Sequence, residues 1–239
     1  MVKMHMKPLR PAIAMIELIF AIVIMGIVMM SAPMLISTAT KSTYVALKQE
    51  GINEAASRVN MIMGYAWDEN NTQDNYVFPI LHVTSGDTAL DVNGNTARRI
   101  GTPMASQRTF ILSDANSSDL NASALGSDGG DTDDIDDFIG DINLTLIEAA
   151  TVNYTETTTV NINTAVSYIT DGSYTPNGSK KISFSPSFSS SPPGTTNIKS
   201  ITVTLTSTDT ANADVLEKTI ILRAFSCNIG GYELKERVF

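Results

Sequence analysis

An apolar run near the amino terminus limits this 239-residue chain more than any other feature of its sequence. Residues 18–36 carry no charge, and about 19 residues in a helix extend roughly 28 Å, close to the thickness of a bilayer core. Residues 1–12 include three bases and no acid: Lys3, Lys7 and Arg10. Basic residues before a span favour a cytoplasmic amino terminus. The sequence therefore predicts one membrane span, with the remainder of the chain exported.

The run begins next to an acidic residue, Glu17. A carboxylate in hydrocarbon costs about 2.5–3.5 kcal/mol on insertion scales, so it is expected to have a function and a partner. A secretory signal has an apolar region of about 7–15 residues that ends at a small-residue cleavage site. This run is longer and continues past the small residues at 31–33. A plain anchor fits the length but leaves Glu17 unexplained.

The segment RPAIAMIELIFAIVIMGI, residues 10–27, resembles the type III signal of the type IV pilin superfamily. The resemblance covers roughly the first fifty residues. It implies that prepilin peptidase cuts between Ala12 and Ile13 and that the new amino terminus, Ile13, is N-methylated. Glu17 then becomes the fifth mature residue and neutralises the amino terminus of a neighbouring subunit, while Gly26 falls on the usual glycine of the family. The family usually has Gly before the cut and Phe or Met after it, where this chain has Ala and Ile.

The same resemblance implies a structural subunit, a minor pilin or pseudopilin, of a type IV pilus or type II secretion filament. Its partners would be prepilin peptidase, other pilin or pseudopilin subunits and the inner-membrane assembly platform. Its location would be the bacterial inner membrane, with a cytoplasmic leader, and then a filament in the periplasm or at the cell surface. The alternative is a single-span, membrane-anchored periplasmic binding domain that does not polymerise.

The net negative charge of the chain argues against nucleic acid as a partner. The chain has 16 Lys and Arg against 25 Asp and Glu, a formal net charge of -9. Nucleic-acid binding needs basic residues that replace counterions on phosphates. No nucleic acid is expected as a partner, unless the filament is a DNA-uptake pilus.

Apolar residues recur at helical spacing beyond the span, and the pattern predicts that the helix continues to residue 67. The predicted organisation is a leader at 1–12, a transmembrane or filament-core helix at 13–36, an amphipathic continuation at 37–67 and a β-rich domain at 68–239. The expected fold class is α+β, with an antiparallel sheet packed on the outer half of a long amino-terminal helix.

Most later segments favour strands. The β-prone runs are 76–83, 109–113, 142–147, 151–162, 165–170 and 181–184. A turn-like segment at 208–214 separates apolar runs over 198–205 and 216–225, which predicts an antiparallel hairpin. The second strand of that hairpin is apolar on both faces, which predicts a central position in the sheet.

The sequence offers little for catalysis. It contains no Gly-x-Ser-x-Gly, Walker or His-Glu-x-x-His motif, and it has two histidines and one cysteine. We therefore expect no enzymatic activity and no cofactor, with calcium as the one open alternative.

An acidic run supplies the calcium candidates: Asp128, Asp131, Asp133, Asp134, Asp136 and Asp137. Calcium takes six to eight oxygen ligands, and a loop of carboxylates suits it. EF-hand spacing fails, because Ile135 stands at a needed ligand position and the hinge glycine is missing. A solvated acidic loop is the alternative.

Four asparagines lie in Asp-x-Asn-x-Ser/Thr, a pattern that resembles the bacterial N-glycosylation sequon: Asn70, Asn116, Asn121 and Asn143. Asn116 and Asn121 are the best candidates, since their loop should be exposed. The alternative is chance in a chain rich in Asn, Asp and Thr. The one cysteine, Cys227, rules out an intramolecular disulfide and is expected to be a half-buried thiol.

Overall fold

The computed structural model describes residues 10–71, 78–91, 98–99, 102–103, 106, 108–110, 121–126, 130–147, 157–171, 192–207 and 219–231. The chain divides into two units, Met1–Gln49 and Glu50–Phe239. Within these ranges the secondary structure is a long amino-terminal helix followed by an antiparallel sheet, which is an α+β arrangement.

Helix α1 spans Arg10–Ile62 and includes Pro33. Its segment Met15–Ala39 has a mean hydropathy of 2.5 over 25 residues and is long and apolar enough to cross a membrane. The helix ends five residues before the predicted end at residue 67. The amide of Gly64 donates to the carbonyl of Met61 at 3.0 Å, a tightened turn that takes the chain out of the α-helical ladder.

The sheet contains β1 (Gly140–Ile147), β2 (Thr157–Ile169), β3 (Ile198–Ser207) and β4 (Ile220–Cys227). The strand order is β1-β2-β3-β4, and each neighbouring pair is antiparallel. The predicted strand at 142–147 and the predicted carboxy-terminal hairpin are therefore confirmed. The predicted runs 151–162 and 165–170 contribute to a single strand, because β2 continues without interruption through Asn163 and Thr164.

The predicted central position of β4 is wrong. Among the described strands β4 lies at the sheet edge, and β2 and β3 occupy the centre. Ile221 and Phe225 are 46% and 43% exposed, whereas Ile220 and Leu222, on the opposite face of the strand, are half-buried. An apolar side chain on both faces of a strand therefore did not mean burial on both faces here.

Two other strand predictions differ from the structure. Residues 78–83 and 109–110 form no strand, although His82 makes an isolated bridge with Asn121. Ile80 donates its amide to the carbonyl of Thr109 at 3.0 Å, so the two segments still meet through the backbone. The predicted strand at 181–184 lies outside the described residues.

The core of the second unit lies between the end of α1 and one face of the sheet. Ala55, Val59 and Ile62 are buried on the helix. On the sheet, alternate residues of β2 and β3 are buried, namely Val160, Ile162, Val166, Ile201, Val203 and Leu205. The helix approaches closely at Gly51, where an added Cβ would lie 2.8 Å from Cδ2 of Leu205. Successive side chains of a strand point to opposite faces of the sheet, so every second residue of β2 and β3 faces the helix and is buried there.

Candidate functional site

The first candidate region is the apolar segment of α1, Met15–Ala39. Its large apolar side chains from Met15 to Ile36 are 52–82% exposed. Glu17 is also exposed on this segment, and an added Cβ at Gly26 would meet no atom within 4 Å. An apolar helical surface of this extent is suited to lipid or to other apolar helices rather than to water.

The structure describes both residues of the predicted cleavage site but not most of the leader before it. Ala12 and Ile13 lie on α1, and the predicted leader up to residue 9 lies outside the described residues. Glu17 lies four residues after Ile13 on the same helix, the spacing at which helix residues are neighbours.

The second candidate region is a group of buried polar side chains within the second unit. We call Asp68, Asp134, Asp136, Tyr168 and Lys199 the buried ionic cluster. The side chains of Lys199 and Asp68 are 0% exposed and that of Asp136 is 1% exposed. Lys199 Nζ lies 3.1 Å from Asp68 Oδ2 and 2.5 Å from Asp136 Oδ1.

Aromatic rings enclose the same ammonium. Lys199 Nζ lies 4.8 Å from the centroid of the Trp67 ring and 5.5 Å from that of Tyr168. The two rings meet edge to face with centroids 6.1 Å apart. A cation over an aromatic face gains electrostatic attraction, and the rings also keep water away from the charged pair.

Backbone amides satisfy the carboxylates of the cluster. Asp68 accepts from the amide of Ser123 at 3.0 Å and from that of Asn70 at 3.3 Å. Asp136 Oδ2 accepts from the amide of Gly126 at 2.8 Å. Because each buried acid has a donor besides the lysine, the desolvation cost of the charges is partly offset.

Two buried apolar residues, Ile135 within the acidic run and Phe138 just after it, position the run. Ile135 is 0% exposed, and its amide donates at 3.1 Å to the carbonyl of Ala66, four residues after the end of α1. The 3₁₀ turn Asp136–Phe138 follows, and the Phe138 ring lies 4.6 Å from the Tyr65 ring. Ile135, which interrupts the EF-hand pattern, and Phe138 are thus the buried residues that anchor this segment and place Asp136 in the core.

Burial and charge shift two groups of the cluster. Burial, with the nearby carboxylate of Asp136, raises the pKa of Asp134 to about 7, while Lys199 acts in the opposite direction. Burial also raises the pKa of the Tyr168 hydroxyl, and the negative charge of Asp68 adds to the rise. Tyr168 therefore remains a hydrogen-bond donor, and its hydroxyl donates to the carbonyl of Ser123 at 3.0 Å.

The predicted calcium ligands differ in how far they are exposed to solvent. Asp131 is exposed, Asp133 and Asp137 are half-buried, and Asp128 lies outside the described residues. The prediction of a solvated loop is wrong for Asp134 and Asp136, which are 3% and 1% exposed. In the described part of the chain no group of three or more His, Cys, Asp or Glu side chains is arranged to hold a metal ion. Calcium binding stays a prediction without structural support.

Sequence reasoning missed Lys199. The register places this residue opposite Tyr168 on β2, and Ile201 and Val203 follow on the same face of β3. A lysine in phase with the core residues of a strand was a detectable signal, because a buried ammonium requires an acidic partner. The partners themselves lie 63 and 131 positions away in sequence.

The candidate glycosylation asparagines differ in their exposure and in their hydrogen bonds. Asn121 is exposed, whereas the side-chain amide of Asn70 donates to the carbonyl of Asn121 at 2.7 Å. Asn143 lies within β1 and accepts from the side-chain amide of Asn161 at 3.0 Å. Asn116 lies outside the described residues.

Cys227, the last residue of β4, is free and half-buried, as predicted. Burial raises the pKa of its thiol, an effect that the nearby guanidinium of Arg99 opposes. A thiol with a raised pKa is a weak nucleophile at neutral pH.

Comparison with protein-family models, with curated proteins and with solved structures finds no match to this chain.

Proposed function

We propose that this chain is a structural subunit, a minor pilin or pseudopilin, of a type IV pilus or type II secretion filament. One observation carries the proposal. The apolar segment of α1 exposes its side chains along 25 residues and includes the carboxylate of Glu17 close to its start. A plain membrane anchor needs the apolar surface but gains nothing from a carboxylate in it.

Removal of the leader after Ala12 supplies the missing partner. The cut creates a positive amino terminus on Ile13, one helical turn from Glu17. When apolar helices of several subunits pack together, Glu17 of one subunit neutralises the amino terminus of the next. An unpaired charge in an apolar core is strongly unfavourable, so this pairing selects one axial register between neighbours.

The second unit supports a structural role. Its sheet packs against the end of α1, and its charged groups in the buried ionic cluster are closed to solvent. We expect no catalytic activity from this unit. The exported part would present its loops at the surface of the filament, after passage from the inner membrane.

The mature amino terminus tests the proposal. The full chain is expressed in a host with active prepilin peptidase, and its amino-terminal peptide is identified by mass spectrometry. We expect a peptide that begins with N-methylated Ile13. The control variant Ala12→Gly should be processed in the same way, because a small residue before the cut is retained, and Ala12→Leu should keep its leader.

An intact leader on the wild-type chain in that host contradicts the proposal and favours the anchored, non-polymerising domain. Processing without recovery of the chain in purified filaments has the same consequence. Stoichiometry of the chain in filaments from the native host then separates a minor from a major subunit.

A further inference from the structure

The buried ionic cluster brings together the groups that an amide bond requires. It places one primary amine against two carboxylates, and all three side chains are at most 1% exposed. The shorter contact, 2.5 Å, joins Lys199 Nζ to Asp136 Oδ1. The longer one, 3.1 Å, joins Lys199 Nζ to Asp68 Oδ2.

We propose that Lys199 and Asp136 condense spontaneously to form an intramolecular isopeptide bond between Nζ and Cγ, with Asp68 as the proton acceptor. The bond would connect β3 to the acidic turn that precedes β1. The inference concerns the second unit alone and is independent of the filament assignment.

The two carboxylates differ in ways that assign their roles. Asp68 accepts from two backbone amides and lies 3.4 Å from the Tyr168 hydroxyl. These donors fix the orientation of the Asp68 carboxylate beside the amine. Asp136 is closer to the amine, and its Oδ2 receives the amide of Gly126 at 2.8 Å. That amide is aimed at the oxygen on which negative charge develops when Cγ is attacked.

Gly126 is suited to this position. Its φ is +119°, a backbone conformation that favours glycine, and it directs its amide toward Asp136. A residue with a side chain would be strained there. The local backbone thus supplies a fixed donor of the kind that stabilises an oxyanion.

The step balances without any added reagent. The ammonium of Lys199 gives one proton to Asp68, and the freed electron pair on Nζ forms a bond to Cγ of Asp136. The bond between Cγ and Oδ1 breaks, and Oδ1 leaves as water. Its two protons come from Nζ, one directly and one through Asp68. One ammonium and one carboxylate become one amide and one water.

The site favours condensation over hydrolysis for three reasons. Trp67 and Tyr168 cover the amine at 4.8 and 5.5 Å, so water has little access to the amide once it forms. The fold also holds the reacting atoms in contact, and such positioning is worth an effective molarity on the order of 10⁵–10⁸ M. In addition, an amide removes two buried charges whose desolvation is costly.

Mass spectrometry of the full-length chain, purified in detergent and then denatured, tests the proposal. We expect the wild-type chain to be lighter than its sequence by one water, after any processing at the amino terminus is taken into account. Tryptic digestion should leave Lys199 uncut and joined to the peptide that contains Asp136.

Three variants complete the test. Lys199→Arg keeps a positive charge but removes the amine nucleophile, so its chain should retain the full mass. Lys41→Arg changes an exposed lysine on α1 and should lose one water as the wild type does. Asp68→Asn keeps an acceptor for the Ser123 amide but takes up no proton, so unreacted chain should accumulate.

Several outcomes overturn the proposal. They are a wild-type chain of full mass, a cross-link from Lys199 to Asp68 instead of Asp136, and complete condensation in Asp68→Asn. Because the wild-type peptide map is read on denatured chain, the decision does not depend on whether the variants fold.

Discussion

Lys199 is the residue on which the interior of the second unit most depends. Its ammonium is completely buried and faces Asp68 and Asp136, which are also buried. Removing one partner from such a group leaves the others as uncompensated charges, which typically costs about 3–5 kcal/mol.

We therefore predict that Lys199→Met lowers the free energy of unfolding of the chain in detergent by about 3–5 kcal/mol. Loss of the covalent bond, where it has formed, acts in the same direction. Denaturant titration with Trp67 fluorescence measures the change, because Trp67 lies against the lysine. Lys41→Met is the control on the exposed helix surface, and equal stability of the two variants would contradict the role of Lys199.

Asp134 gives the cluster a pH dependence. Its pKa in the folded chain is raised to about 7 from an ordinary value of 3.8, through burial and the charge of Asp136. The folded chain therefore holds a proton here that the unfolded chain releases. The resulting stability is complete below about pH 4 and is lost as pH rises through about 7, with a slope of at most about 1.4 kcal/mol per pH unit.

The variant Asp134→Asn should remove this loss, since the amide keeps an oxygen for the amides of Asp136 and Asp137 but carries no charge. We expect its Tm to exceed that of the wild type increasingly between about pH 4 and pH 7 and by a constant amount above that, as measured by calorimetry. Asp131→Asn, at an exposed position, should follow the wild type. Parallel Tm curves for wild type and Asp134→Asn would refute the assignment.

At the scale of elements, the contact of α1 with the sheet depends on a small residue. Gly51 faces Leu205 so closely that a Cβ would lie 2.8 Å from the leucine Cδ2. A glycine inside a helix is unfavourable by itself, so its close packing against β3 accounts for its position.

We predict that Gly51→Leu lowers the free energy of unfolding by about 1–3 kcal/mol, the usual cost of overpacking a filled core. Gly26→Leu is the matched control, because a Cβ at Gly26 meets no atom within 4 Å. Chemical denaturation followed by circular dichroism separates the two. The packing described here would be refuted if Gly51→Leu were as stable as Gly26→Leu.

At the scale of the whole molecule, Glu17 decides between a filament subunit and an isolated anchor. Reversal of its charge places a cation beside the positive amino terminus of the neighbouring subunit. We predict that Glu17→Lys still inserts in the membrane but that its incorporation into filaments falls by at least about tenfold. An unpaired charge costs roughly 2.5–3.5 kcal/mol, and about 1.4 kcal/mol already corresponds to a factor of ten.

Membrane fractionation and quantification of the chain in sheared filaments measure the two properties separately. Glu50→Lys is the control, since it reverses an exposed carboxylate on the same helix outside the apolar segment. Normal incorporation of Glu17→Lys would contradict the proposed pairing.

The sequence by itself determined the elements whose signals are local. The apolar run and the helical spacing after it predicted α1 to within a few residues of its end, because both periodicities come from contacts between residues near in sequence. The hairpin of β3 and β4 was predicted for the same reason, since a turn-like segment joins its strands. The sequence also singled out Glu17, because a charge within an apolar run is visible without a structure.

Only the tertiary structure decided which residues meet across the chain. It moved β4 to the sheet edge, because strand order depends on hydrogen-bond partners that no single strand specifies. It buried part of the acidic run, since Ile135 and Phe138 pack into the core and carry Asp136 with them. It brought Lys199 to Asp68, 131 positions away. A charge can be buried only where folding supplies its counter-charge, and that supply is a property of the assembled core.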